Sequence, residues 1–212
     1  MANFYKKSHQ LGRSMIEMLG VLAIIGVLSV ASISAYSQAM FKHRLNKMVD
    51  QYTELFTTVN LFKGEFMKNF PRSQRLYPII NEMGKLPDGM KLTGSIYAYD
   101  VFNHLSEVRL YEEILVYISL SEQKNGQYST SEEARKICGY IYQYLLIPNR
   151  ADIFRTFFYH HDAQGEGSEG LIYGDKQCRD GAKCLKNLTI GDIATICNSY
   201  GADRESRLVI AF

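Results

Sequence analysis

Apolar and polar positions follow three rhythms along this chain. Residues 18–36, MLGVLAIIGVLSVASISAY, carry no charge. As an α-helix rising about 1.5 Å per residue, that run reaches roughly 28 Å, close to the thickness of a bilayer's hydrocarbon core. Beyond it Phe41, Leu45, Met48, Val49, Tyr52, Leu55, Phe56, Val59, Phe62, Phe66 and Met67 recur at steps of three and four, which is one apolar stripe on a helix. Lys42, Arg44, Lys47, Asp50, Gln51, Glu54 and Lys63 occupy much of the other face, and no proline intervenes before Pro71. The pattern predicts one long helix, apolar all round at first and amphipathic later.

The rhythm then changes. Pro71 and Pro78 mark the helix exit, and 72–94 holds Gly84, Pro87, Asp88 and Gly89, a turn-rich connection. Residues 96–102, 108–111 and 114–120 are short runs rich in β-branched and aromatic residues, and they predict strands of a mostly antiparallel sheet. Ser129 or Thr130, with an acidic residue three places on, is expected to cap a helix running to about Leu146, before Pro148. Residues 189–198 fit helix or strand and are read as helix; 208–212 are expected to end the chain as a strand within the sheet. The polar, glycine-rich 162–170 is expected to be an exposed loop. Its acidic groups suggest calcium, but the EF-hand spacing fails, with Tyr173 where a bidentate Glu is needed. His160 and His161 are read as ordinary residues of a strand edge rather than metal ligands, because adjacent positions diverge.

Composition adds bounds. The chain has 212 residues, 46% hydrophobic and 22% charged, which excludes a disordered or low-complexity protein. A formal net charge of +2 gives no global field, so binding to nucleic acid driven by overall charge is not expected. Gly-x-Ser-x-Gly, P-loop, His-Glu-x-x-His and dinucleotide fingerprints are all missing. The chain is therefore read as a non-enzyme, with no catalytic residues, cofactor or metal assigned.

The chemistry at the helix start is more specific. Lys6, Lys7 and Arg13 precede the apolar run, and Glu17 sets a carboxylate at its very edge. An ionisable group costs a few kcal/mol as it moves toward the membrane centre. A cleaved secretory signal, ending among the small residues Ser29, Ala31, Ser32, Ser34 and Ala35, is the ordinary alternative, as is a plain anchor. Helical patterning that continues unbroken past those residues weighs against the cleaved signal.

The run Gly12-Arg13-Ser14-Met15-Ile16-Glu17, followed directly by the apolar helix, resembles the N-terminus of type IV pilins and of type II secretion pseudopilins. The resemblance implies that a prepilin peptidase cuts after Gly12, that Arg13 becomes a methylated first residue, and that Glu17 falls at the fifth place of the mature chain. Arg13 stands where the family usually has an apolar residue. Gly20 and Gly26 would put Ile25 and Ala31 at the fifth place, so neither gives this spacing. A carboxylate among apolar helices is tolerable only when paired, and the amino terminus of an adjacent subunit is such a partner. The implied layout is a basic leader over 1–12, a long helix over 13–70 with its transmembrane half at about 15–36, and a disulfide-bonded head over 71–212. The implied fold class is α+β and pilin-like: the long helix packed on a mostly antiparallel β-sheet head similar to type IVb pilins.

Cys138, Cys178, Cys184 and Cys197 permit three pairings. Arg179 to Lys183 contain a turn signal, which makes Cys178 with Cys184 the local pair and Cys138 with Cys197 the long-range one. A zinc site is the lesser alternative, since no Cys-x2-Cys exists. Disulfides place the head in an oxidising compartment. The functional expectation is a structural pilin held in the inner membrane, head in the periplasm, and polymerised through its apolar helix into a surface filament for adhesion, motility or uptake. Its implied partners are other copies of itself and other pilins, the prepilin peptidase, the inner-membrane assembly platform and membrane lipid. A periplasmic pseudopilin of a type II secretion system and an anchored binding protein that never polymerises are the alternatives.

Overall fold

A computed structural model describes residues 11–94, 96–120, 122–124, 127–129, 131–162, 165–199 and 205–212. Lys6, Lys7 and the rest of 1–10, together with Thr130 and, within the 162–170 segment, Ala163 and Gln164, lie outside the described residues. The fold is α+β. Helix α1 runs Leu11–Asn69, and the chain divides within it into two compact units, Met1–His43 and Arg44–Phe212. In the first unit the described side chains are solvent-exposed or nearly so, and they include Met15, Ile16, Leu19, Leu22, Ile24, Val27, Leu28, Val30 and Ile33.

The second unit is built on a sheet of seven strands: β1 Lys91–Thr93, β2 Tyr97–Tyr99, β3 Leu105–Leu110, β4 Ile114–Ser119, β7 Arg155–Asp162, β8 Gly165–Tyr173 and β9 Glu205–Ala211. Their order is β1-β2-β3-β4-β9-β7-β8, and every neighbouring pair is antiparallel. A separate hairpin pairs β5 Glu122–Lys124 with β6 Gln127–Ser129. The last strand sits inside the sheet, between β4 and β7.

Register fixes which side chains meet the helix. Val108 lies opposite Val116, which lies opposite Ile210, which lies opposite Thr156, so these four share one face. All four are fully buried, as are Ile114, Ile118 and Leu208 on the same face. The amphipathic stripe of α1 supplies the other side of this core: Leu45, Met48, Tyr52, Leu55, Phe56, Val59 and Phe66 are buried, and the Phe56 ring meets that of Phe212 edge-on at 4.8 Å. Fully burying one such side chain is worth about 1.5–3 kcal/mol, so this stripe holds the helix to the sheet.

Three departures from the pattern have local causes. Gln51, read as part of the polar face, is buried: its Nε2 donates to the Asp88 carbonyl at 3.0 Å and its Oε1 accepts from Val101 N at 3.1 Å. The strand expected over 96–102 stops at Tyr99 because the Asp100 Oδ1 accepts from the backbone N–H of Phe102 and His104, closing a turn. The loop expected over 162–170 is largely strand β8, paired to β7 from Asp162 opposite Gly165 to Arg155 opposite Tyr173. Its glycines and charges mark an exposed edge of the sheet, not a chain break.

The turn-rich connection also holds the short helix α2, Tyr77–Glu82. Helix α3, Glu132–Ile141, is capped by Ser131 rather than Ser129 or Thr130; the Ser131 hydroxyl accepts from Ala134 N at 3.0 Å. A π-helical turn, Tyr142–Leu146, extends it. Helix α4, Ile190–Ser199, resolves the ambiguous segment in favour of helix. Thr189 and Asp192 decide this reciprocally, since the Thr189 hydroxyl accepts from Asp192 N at 3.1 Å while the Asp192 carboxylate accepts from Thr189 N at 3.0 Å.

Burial raises the phenols of Tyr52, Tyr77 and Tyr142 well above their ordinary range, with Asp100 adding to the effect at Tyr52 and Tyr77. The unfolded chain therefore releases these protons first, from about pH 10 upward, while the folded chain retains them. Stability is thus expected to be intact below that pH and to fall as pH rises through the window above it. In an alkaline titration, full tyrosinate absorbance should appear only with loss of the fold. Complete ionisation of all tyrosines in a chain that keeps its native circular dichroism would contradict the packing described here.

Candidate functional site

The first turns of α1 carry Gly12, Arg13 and Glu17. All three have helical backbone, so the Gly12–Arg13 bond lies inside the helix as it stands. A glycine on one side of that bond lowers the cost of unwinding it locally, because glycine pays most entropy to stay helical. Glu17 is exposed, at the edge of a charge-free stretch whose side chains are exposed from Met18 to Met40. A Cβ built on Gly20 or Gly26 meets nothing within 4 Å, so these positions leave the helix surface locally bare.

So many large apolar side chains in one exposed patch are outside the norm for a soluble monomer and mark a surface that meets lipid or another apolar surface. Helix α1 is long and apolar enough to cross a membrane. The sequence therefore places Gly12, Arg13 and Glu17 together at one end of this patch.

The cysteines lie elsewhere, in the second unit. Cys138 in α3 is bonded to Cys197 in α4, with Cα atoms 5.8 Å apart, so the bridge ties the two helices that flank the hairpin β7–β8 in sequence. Cys178 is bonded to Cys184, Cα atoms 5.6 Å apart, and closes the connection between β8 and α4. Both separations suit unstrained bridges. No cysteine is left free among the described residues, and with all four in bridges none is available as a zinc thiolate.

Sequence reading missed one polar constellation entirely. Glu107 on β3 is 2% exposed, and its Oε1 accepts from Arg75 Nε at 3.0 Å and from Arg109 Nε, while Arg207 Nη1 lies 3.6 Å from Oε2. Arg75 reaches it because residues 73–76 pair with β3 beyond the end of β2: Leu76 N donates to Val108 O and Leu110 N to Gln74 O. The only signal in the sequence is the alternation Glu107, Arg109, Tyr111 along the strand face opposite the helix. This is a structural clamp: removing Glu107 would leave clustered guanidinium groups facing one another.

Replacing Cys138 and Cys197 together by Ser is expected to cost about 2–5 kcal/mol of stability, the usual range for a small secreted domain, and replacing Cys178 and Cys184 less, because the closed loop is short. Urea unfolding of the two double variants checks this, and equal midpoints for both would contradict it. No family model matches this chain, and no curated protein and no solved structure matches it.

Proposed function

We propose that the chain is a structural subunit of a type IV pilus-like filament, held in a membrane by α1 before assembly and joined to its neighbours through the same helix. One observation carries the reading: a charge-free, exposed helical surface begins at a single carboxylate, Glu17, that lies five residues after Gly12. For a lone anchor that carboxylate only adds to the cost of insertion. A filament does have a use for it. If processing frees the amino group of Arg13, the ammonium of one subunit and the carboxylate of the next neutralise each other at the same depth among packed apolar helices, and this sets the axial register.

The disulfides fit the same reading, because bridges persist in an oxidising compartment on the far side of the membrane from the leader. The body has its own sheet, its own core and its own bridges, which suits a unit that folds before it is taken into a fibre. Its role in this reading is structural and not catalytic.

Glu17→Val provides the test. Insertion into the membrane is expected to persist, because removing a charge makes the span more apolar. Filament assembly, read by electron microscopy of sheared surface fractions, is expected to fail or lose register. Normal fibres from Glu17→Val would sink the pairing, and fibres from a chain beginning at residue 42 would show that the apolar half of α1 is an anchor alone.

A further inference from the structure

We propose that Arg75 and Arg109 form a binding site for the phosphate group of a phosphate monoester. The two residues lie directly opposite each other, one on the segment that pairs with β3 and one on β3 itself. Like charges in that relation repel, so the pair needs an anion to answer it. Glu107 answers it in part. Its Oε1 accepts from Arg75 Nε at 3.0 Å and from Arg109 Nε, while Arg207 Nη1 lies 3.6 Å from Oε2, so one carboxylate serves three guanidinium groups. Glu107 neutralises at most one of those three charges. The segment that delivers Arg75 is bent and pinned. Ser73 takes φ 71°, a region that side chains rarely adopt; its N donates to Leu110 O at 2.6 Å, and Leu76 N donates to Val108 O at 2.8 Å. A backbone held this way fixes the arginine before any ligand arrives, which lowers the ordering cost of binding.

The donors left over are open to solvent. Arg75 Nη1 and Nη2 and Arg109 Nη2 have no hydrogen-bond partner among the described residues, and none of the three is a buried atom. The Arg75 and Arg109 side chains are 36% and 28% exposed, whereas Glu107 is 2% exposed. An incoming anion therefore meets guanidinium and not carboxylate. Arg109 Nη1 donates to the Tyr111 hydroxyl at 2.8 Å, which holds that group in place. Glu112, which follows Tyr111, is paired with Arg72 at 3.3 Å. Geometry then selects the class of anion. A guanidinium presents its donors as a planar fork, and a carboxylate has two oxygens, enough for one fork. A phosphate monoester carries a charge of about −1.5 to −2 at neutral pH and three strong acceptor oxygens, so it takes donors from two guanidinium groups at once.

The site makes no use of Glu17 or the apolar helix, so failure of this inference leaves the filament reading intact, and the reverse holds as well. The test uses the full chain in phosphatidylcholine nanodiscs at low salt, titrated with inorganic phosphate and with glycerol 3-phosphate in a calorimeter. Both are expected to bind. Arg75→Gln is expected to weaken binding about tenfold or more, as for lost hydrogen bonds to a charged group. Arg75→Lys keeps the charge and not the fork, and is expected to recover only part of that loss. Glu107→Gln is expected to act in the opposite direction and tighten binding, because the carboxylate that competes for the same guanidinium groups is gone; a cluster with a structural role alone gives no such gain. Thermal melting guards against misfolding: phosphate should raise the midpoint of wild type and of Lys186→Ala alike, and leave that of Arg75→Gln unchanged. Phosphatidic acid added to the nanodisc, with phosphatidylglycerol as a charge control, distinguishes the sources of the group. Competition with soluble phosphate assigns the site to a lipid headgroup, and an unchanged phosphate affinity assigns it to a soluble ester. Absence of binding by both soluble probes would overturn the proposal, as would equal affinity in wild type and Arg75→Gln. Acetate binding as tightly as phosphate would overturn the assignment of a phosphate group.

Discussion

Everything in the second unit depends on one face of the sheet being covered by the amphipathic stretch of α1. Val108, Val116, Ile118, Leu208 and Ile210 form an apolar surface that no strand can hide alone, and Met48, Tyr52, Leu55, Phe56 and Val59 hide it. The contact is made specific by polar groups at its margin. Tyr52 donates to Asp100 at 3.3 Å, Gln51 bridges Asp88 and Val101, and Arg44 donates to the Val101 carbonyl while lying over the Phe102 ring. These bonds fix the helix along its axis and about it, since a slip of one residue would bury Gln51 without partners and swing Tyr52 away from Asp100.

The same helix carries a second, different demand. Its first half has no polar stripe at all and leaves its apolar side chains exposed, and it is long and apolar enough to cross a membrane. Two solvents are thus written into one secondary-structure element, and the change occurs near residue 41, where the all-round apolar pattern gives way to a stripe. A division of the chain between His43 and Arg44 coincides with that change. In the filament reading proposed above, Glu17 is the acidic group at the edge of that stretch, and the amino terminus of a neighbouring subunit is the cation that meets it there.

Much of this was legible in the sequence because periodicity and local chemistry agree there. The stripe from Leu45 to Phe66 is visible as steps of three and four, the strands at 114–120 and 208–212 as β-branched runs, and the bridge from Cys178 to Cys184 as a turn signal between nearby cysteines. Helix α4 was ambiguous by periodicity, yet the Thr189-x-x-Asp192 cap marks its start in the sequence. What escaped reading depends on long-range register. Glycine and glutamate disguise β8 as a loop, and only β7 alongside makes it a strand. Gln51 reads as a surface residue until Asp88 and Val101 are brought to it from the connections beyond the helix. The Glu107 cluster needs residues 75 and 207 to converge on one strand.

In the proposed filament subunit the charge-free helix and Glu17 form one device, set up by processing after Gly12. The most direct measurement is the mass and N-terminal sequence of the protein extracted from the membrane of cells that assemble it. The expected result is a chain that starts at Arg13, with or without an added methyl group on its amine, and that keeps Glu17 and the whole apolar run. A chain that starts between residues 32 and 36 would contradict it, because the apolar run would then be a discarded signal and Glu17 would be absent from the mature protein.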